Sequence, residues 1–136
     1  MQIQDSFYIL RYLWKIFTCM NTIQAFQIFE KSIAKYHVLD SVDQAFENPF
    51  EPNSLDHLLY RKSWIDTVQW HYEDLIREPS IDPLAALELK RKIDASNQDR
   101  TDMVEYIDSY FLQEFSSVKH LDDATINTES PAWAID

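Results

Sequence analysis

The 136-residue chain contains no glycine. Hairpin turns and β-bulges draw on glycine, and helices commonly end on it. Its absence therefore argues against a sheet protein and predicts few, long helices with Pro-, Asn- or Asp-based connections. It also excludes a phosphate-cradling glycine loop and a Gly-x-Ser-x-Gly nucleophile elbow. Cysteine is nearly missing: the single Cys19 rules out an internal disulfide framework. Positive charge is scarce, with 12 Lys and Arg against 23 Asp and Glu and a formal charge of −11. Residues 38–60 hold Asp40, Asp43, Glu47, Glu51 and Asp56 with no Lys or Arg, and the tail adds Asp122, Asp123, Glu129 and Asp136. Such a field repels phosphate backbones, so nucleic acid is not an expected partner.

What is present points to one folded domain. A 46% hydrophobic content with 14% aromatics excludes a disordered chain, and the length suits a single core. Residues 1–19 stand apart. Phe7, Tyr8, Ile9, Leu10, Tyr12, Leu13, Trp14, Ile16 and Phe17 form a dense apolar run broken by Arg11 and Lys15. The run is too short and interrupted for a membrane span and lacks the cleavage site and basic start of a signal peptide. The reading preferred is an upstream extension with Met20 as the true start. Membrane contact through residues 7–17 and a core-packing helix are the less favoured alternatives. A cytoplasmic location is expected.

From Thr22 the pattern becomes regular. Phe26, Phe29, Ile33 and Tyr36 recur at 3-4-3 spacing and predict an amphipathic helix ending near His37. Pro49 and Pro52 interrupt a connector over Val38–Asn53, with a short helix expected around Val42–Phe46 and Val42, Phe46 and Phe50 as its anchors. Ser54 caps a second helix whose stripe is Leu55, Leu58, Ile65, Val68, Tyr72 and Leu75, broken at Arg61/Lys62. Pro79 ends it. Asp82 caps a third helix with Pro83 at its first position, running without Pro to about Val118. Its stripe passes through Leu84, Leu87, Ile93, Met103/Val104, Ile107, Phe111 and Phe115. Where the stripe crosses Asn97 and Arg100 it turns polar. Ser130-Pro131 announces another helix that stops after one and a half turns, as if the chain were truncated. The expected architecture is all-α: a helical bundle over residues 20–118 around a long antiparallel hairpin, then a polar connector and a C-terminal helix that is missing beyond its start.

Two runs are distinctive: Trp70-His71-Tyr72-Glu73-Asp74 and Asn97-Gln98-Asp99-Arg100-Thr101-Asp102. Together with Ser63–Gln69, Leu89–Asp94 and Glu105–Asp108, they make Met20–Asp136 resemble the bacterial family called domain of unknown function 4254. The resemblance implies a helical protein and transfers no activity.

Three polar groups remain as candidates. If the hairpin folds about Ser80, His71 and Asp74 face Lys90, Arg91 and Asp94, a set suited to a small anion or to acid–base work. The alternative for His71 is a hydrogen-bonded interface residue. Asn97, Arg100 and Asp102 form a candidate buried polar layer opposite Arg61–Lys62. That layer requires an acid such as Asp66 or Asp102 and either fixes register or lines a ligand pocket. Glu105-x-x-Asp108 resembles half of the Mg²⁺ site of helical nucleotide pyrophosphohydrolases, the runner-up reading, but lies roughly 24 Å along the hairpin from the residue opposite His71. No His-x-x-x-His or Glu-x-x-His pair suggests zinc or di-iron, and no cofactor is expected. The leading functional expectation is a binding or scaffolding protein, a homo-oligomer or one with a protein partner.

Overall fold

A computed structural model describes residues 22–119, 122–123 and 128–135. They form α1 (Thr22–Tyr36), α2 (Leu55–Ile76), α3 (Pro83–Glu114) and α4 (Pro131–Ile135), with no strand among the described residues. The fold is all-α. The expected extension over residues 1–19, including the apolar run 7–17, lies outside the described residues.

Local chemistry sets the boundaries. Ser54 Oγ accepts the N–H of His57 at 3.1 Å and opens α2. Asp82 Oδ2 accepts the N–H groups of Leu84 and Ala85 and opens α3 with Pro83 in the first turn. The connection between α1 and α2 needs positive φ at two positions, and the glycine-free chain supplies Asp40 (φ 51°) and Asn53 (φ 66°) there. Asp and Asn tolerate this region because their short side chains bond locally. Over Val42–Phe46 the connector makes a turn rather than the expected short helix. Gln44 there donates to the carbonyls of Tyr36 and Ser41, bonds that hold the segment down without helical repeats. Two of the expected anchors pack on α2: Phe46 meets the rings of Tyr60 and Trp64, and Phe50 meets Tyr60.

Helix α2 is the middle layer, packed against α1 on one side and α3 on the other, while α4 rests on α3. This explains why its buried residues, Leu55, Leu59, Tyr60, Lys62, Ser63, Trp64 and Gln69, do not follow one stripe. In α1 the buried face is Ala25, Ile28, Ser32 and Tyr36, which keeps the expected Tyr36 but elsewhere lies one position before the expected stripe. Small Ala25 and Ser32 let the helices approach, and Ser32 Oγ donates to the Tyr60 carbonyl at 3.2 Å. The bulkier Phe26 and Ile33 are left exposed. Along α3 the buried row is Ile93, Ser96, Met103, Val104, Ile107 and Phe111. It passes through Ser96 rather than Asn97, and Leu84 and Leu87 are exposed.

The main core joins Leu55, Leu59 and Tyr60 of α2 to Val104, Ile107 and Phe111 of α3, with Ala25, Ile28 and Ala132 completing it. It therefore fills the end of the hairpin away from the turn. Across the hairpin Arg100 meets Asp66 and Lys92 lies over Tyr72, pairs centred on residues 83 and 82. The centre of the hairpin is thus two to three residues later than Ser80, which shifts the pairing by four to six residues. No helix among the described residues is long and apolar enough to cross a membrane.

Candidate functional site

Midway along the hairpin, Asp66 holds two cations. Lys62 Nζ donates to its Oδ2 at 2.5 Å, and Arg100 Nε donates to its Oδ1 at 2.9 Å. Lys62 is only 2% exposed, so its ammonium depends on this carboxylate in place of water. The i,i+4 spacing places Lys62 and Asp66 on one face of α2, and Arg100 reaches them from α3. Asp66 is thus the acid that the cations between these helices require. Asn97 lies outside the layer, exposed, with its carbonyl accepting from Thr101. Asp102 is half-buried and accepts from Gln98 Nε2 at 2.8 Å.

The Lys62–Asp66 pair forms one wall of a cavity of about 240 Å³, whose apolar lining comes from Phe29, Ile33, Trp70 and Ile135. Three elements contribute: α1, α2 and the short C-terminal α4. Trp70 is 67% exposed at the rim. Phe26, 62% exposed, extends the same surface through an edge contact with Phe29 at 6.5 Å.

A second constellation lies where α1 ends. The His71 ring stacks on Tyr36 with centroids 4.8 Å apart and meets the His37 ring at 5.4 Å. His37 Nδ1 is 2.8 Å from Asp40 Oδ1, and His71 Nε2 is 3.9 Å from the same oxygen. One donor atom from each of His37, Asp40 and His71 lies within 4.8 Å of the others, a spacing from which they could hold a metal ion. The group is half-exposed to exposed, whereas Tyr36 behind it is fully buried. The Tyr36 hydroxyl has no hydrogen-bond partner among the described residues. Burial pushes its pKa up, and the charge of Asp40 and then the neighbouring Tyr72 add to that shift.

His71 thus turns towards α1 and not towards the set expected around it. Lys90 is paired with Asp94 on its own helix, and Arg91 is exposed. Asp74 pairs with Arg77 at 3.5 Å. Of the Lys90–Lys92 run, Lys92 is the residue that reaches α2. It sits over Tyr72, and its hydrogen bond to Asp43 at 3.2 Å raises its pKa, a shift that desolvation opposes. Glu105 is exposed, and Asp108 Oδ1 accepts the N–H of Ala132 at 3.1 Å, so it fastens α4 to α3. Since Tyr72 meets Lys92, Glu105 lies thirteen residues farther along α3, roughly 20 Å from that level.

Against known proteins, one family model matches residues 56–136, more than half of the chain. It describes a protein of unknown function (DUF4254). The chain belongs to this family. No curated protein and no solved structure matches it. Within the DUF4254 match fall Lys62, Asp66, Trp70, His71 and Arg100; Phe29, Ile33, His37 and Asp40 precede it.

The residues missed from sequence are His37 and Asp40, and the groove wall Phe29–Ile33. A signal for the first was present. His37-x-x-Asp40 follows the last helical residue, and an Asp in a turn without glycine is a natural left-handed position. Pairing that turn with His71 needs the packing of α1 on α2, which no local pattern supplies.

Proposed function

We propose that the protein is a helical binding module that self-associates through the groove between α1 and α2. The observation that carries this reading is the position of Trp70, a large exposed aromatic on the rim of an apolar, side-chain-sized cavity. At about 240 Å³ the cavity is smaller than the roughly 300–1,000 Å³ of typical cofactor and small-molecule sites. It suits a single bulky anchor. Exposed Phe26 and Ile33 widen the contact on one side, as the near-neutral surroundings of an anchor residue do in protein interfaces.

A two-fold contact requires anchor and pocket on the same surface, so that each copy gives what it receives. Trp70 beside the Phe29–Ile33 wall satisfies that condition. The Lys62–Asp66–Arg100 layer supports the groove from beneath by fixing the register of α2 on α3. Charge opposes the association, because two copies at −11 each repel. Association should therefore strengthen as salt rises. Sedimentation velocity in about 0.01 M and about 1 M salt, where the screening length falls from about 30 to 3 Å, tests this. A dimer fraction that grows with salt supports the reading. A monomer under both conditions, or a dimer that salt dissolves, overturns it.

A further inference from the structure

We propose that His37, Asp40 and His71 form an open site for a divalent transition metal of the zinc type. This site is separate from the groove. The donors are two imidazole nitrogens and one carboxylate oxygen, a set that favours zinc and its neighbours over magnesium or calcium, which take oxygen ligands. Their ligating atoms already lie within 4.8 Å of one another. Tetrahedral ligands at about 2.0–2.1 Å from zinc are separated by roughly 3.4 Å. Closure therefore asks for shifts of about 1 Å, which exposed side chains make by small rotamer changes.

Two of the three are placed by their surroundings. His71 is backed by the buried Tyr36 ring, stacked at 4.8 Å, which fixes the imidazole plane. Asp40 sits at a left-handed φ of 51°, with its N–H bonded to the Tyr36 carbonyl at 3.0 Å. From this turn the Asp40 Oδ1 lies 2.8 Å from His37 Nδ1 and 3.9 Å from His71 Nε2. Three protein ligands leave a fourth position open to solvent, the arrangement of exchangeable and catalytic zinc in contrast to closed structural sites. The 2.8 Å contact between His37 Nδ1 and Asp40 Oδ1 requires a shared proton in the metal-free protein. Metal binding at Nδ1 moves that proton to Nε2 of the neutral imidazole, which frees the Nδ1 lone pair.

The test is zinc titration of the full chain by calorimetry, with cobalt(II) absorption as a second probe. One zinc per chain is expected. His37→Ala, Asp40→Asn and His71→Ala should each weaken binding at least tenfold. His57→Ala should leave it unchanged, because His57 faces the Phe50 carbonyl elsewhere. Circular dichroism checks each variant, and if His71→Ala loses helix, the exposed His37 and Asp40 carry the test. Absence of zinc binding overturns the proposal. So does affinity that survives His37→Ala and Asp40→Asn, or that falls equally in His57→Ala.

Discussion

The two ends of the hairpin are built differently. At the far end, Leu59, Val104, Ile107 and Phe111 close a core with Ala25, Ile28 and Ala132. Towards the turn, Leu75, Leu84 and Leu87 stay exposed, and the contacts that are made are largely polar: Lys92 with Asp43 and Arg77 with Asp74. Between the two lies the Lys62–Asp66–Arg100 layer. The same helices thus carry their main core at one end and leave several large apolar side chains uncovered towards the turn. Surface ion pairs contribute little, so the turn end is held mainly by continuity with the core.

Graded substitutions test this contrast by thermal or denaturant unfolding. Ile107→Ala, at a fully buried position, should cost about 3–5 kcal/mol by leaving a cavity in the core. Asp66→Ala should cost about 2–3 kcal/mol, somewhat under the loss for a wholly buried pair because Asp66 is partly exposed. Lys62→Met should cost less, since Arg100 still neutralises Asp66 and the stem's packing is kept. Tyr36→Phe should stabilise by about 1 kcal/mol, because it removes a buried hydroxyl with no partner. Leu84→Ala, 73% exposed near the turn, should change stability by no more than about 0.5 kcal/mol. A Leu84→Ala loss as large as that of Ile107→Ala would erase the contrast.

Alkaline pH sharpens it further. The Tyr36 pKa is raised by folding above its ordinary 10.0, so the folded state retains the proton longer than the unfolded state. Stability from this group is complete below about pH 10 and is lost as pH rises through the folded value. Lys92, with its pKa raised by Asp43, acts in the same direction but weakly, because it is exposed to solvent. A melting-temperature series from pH 8 to 11 should fall less steeply for Tyr36→Phe than for the parent chain. Parallel curves would remove Tyr36 from the account.

Much of the frame was legible because it rests on short-range chemistry. Ser54 and Asp82-Pro83 announce their helices through bonds to residues two or three positions away. Charge balance called for an acid such as Asp66 or Asp102 near Arg100, and the packing of α2 on α3 supplies Asp66. What sequence periodicity misplaced were the faces. Counting large residues put Phe26 and Ile33 inside α1, whereas the contact with α2 uses the small Ala25 and Ser32. Close helix packing rewards small residues, and a stripe of bulky ones outside it signals a surface with another use. The same error moved Asn97 into the seam in place of Ser96. The His37–Asp40–His71 group was not legible. Its members come from a turn and a helix thirty-four residues apart in sequence, joined only by tertiary packing.

The central claim is that the groove, and not the turn, is where copies of the chain meet. Trp70 and Leu84 are equally suitable probes, both large, apolar and about two-thirds or more exposed. Sedimentation velocity of Trp70→Glu and Leu84→Glu, beside the parent chain in high salt, decides between them. The account predicts a monomer for Trp70→Glu and an undiminished dimer for Leu84→Glu. A dimer that survives Trp70→Glu, or that is lost with Leu84→Glu, would contradict it.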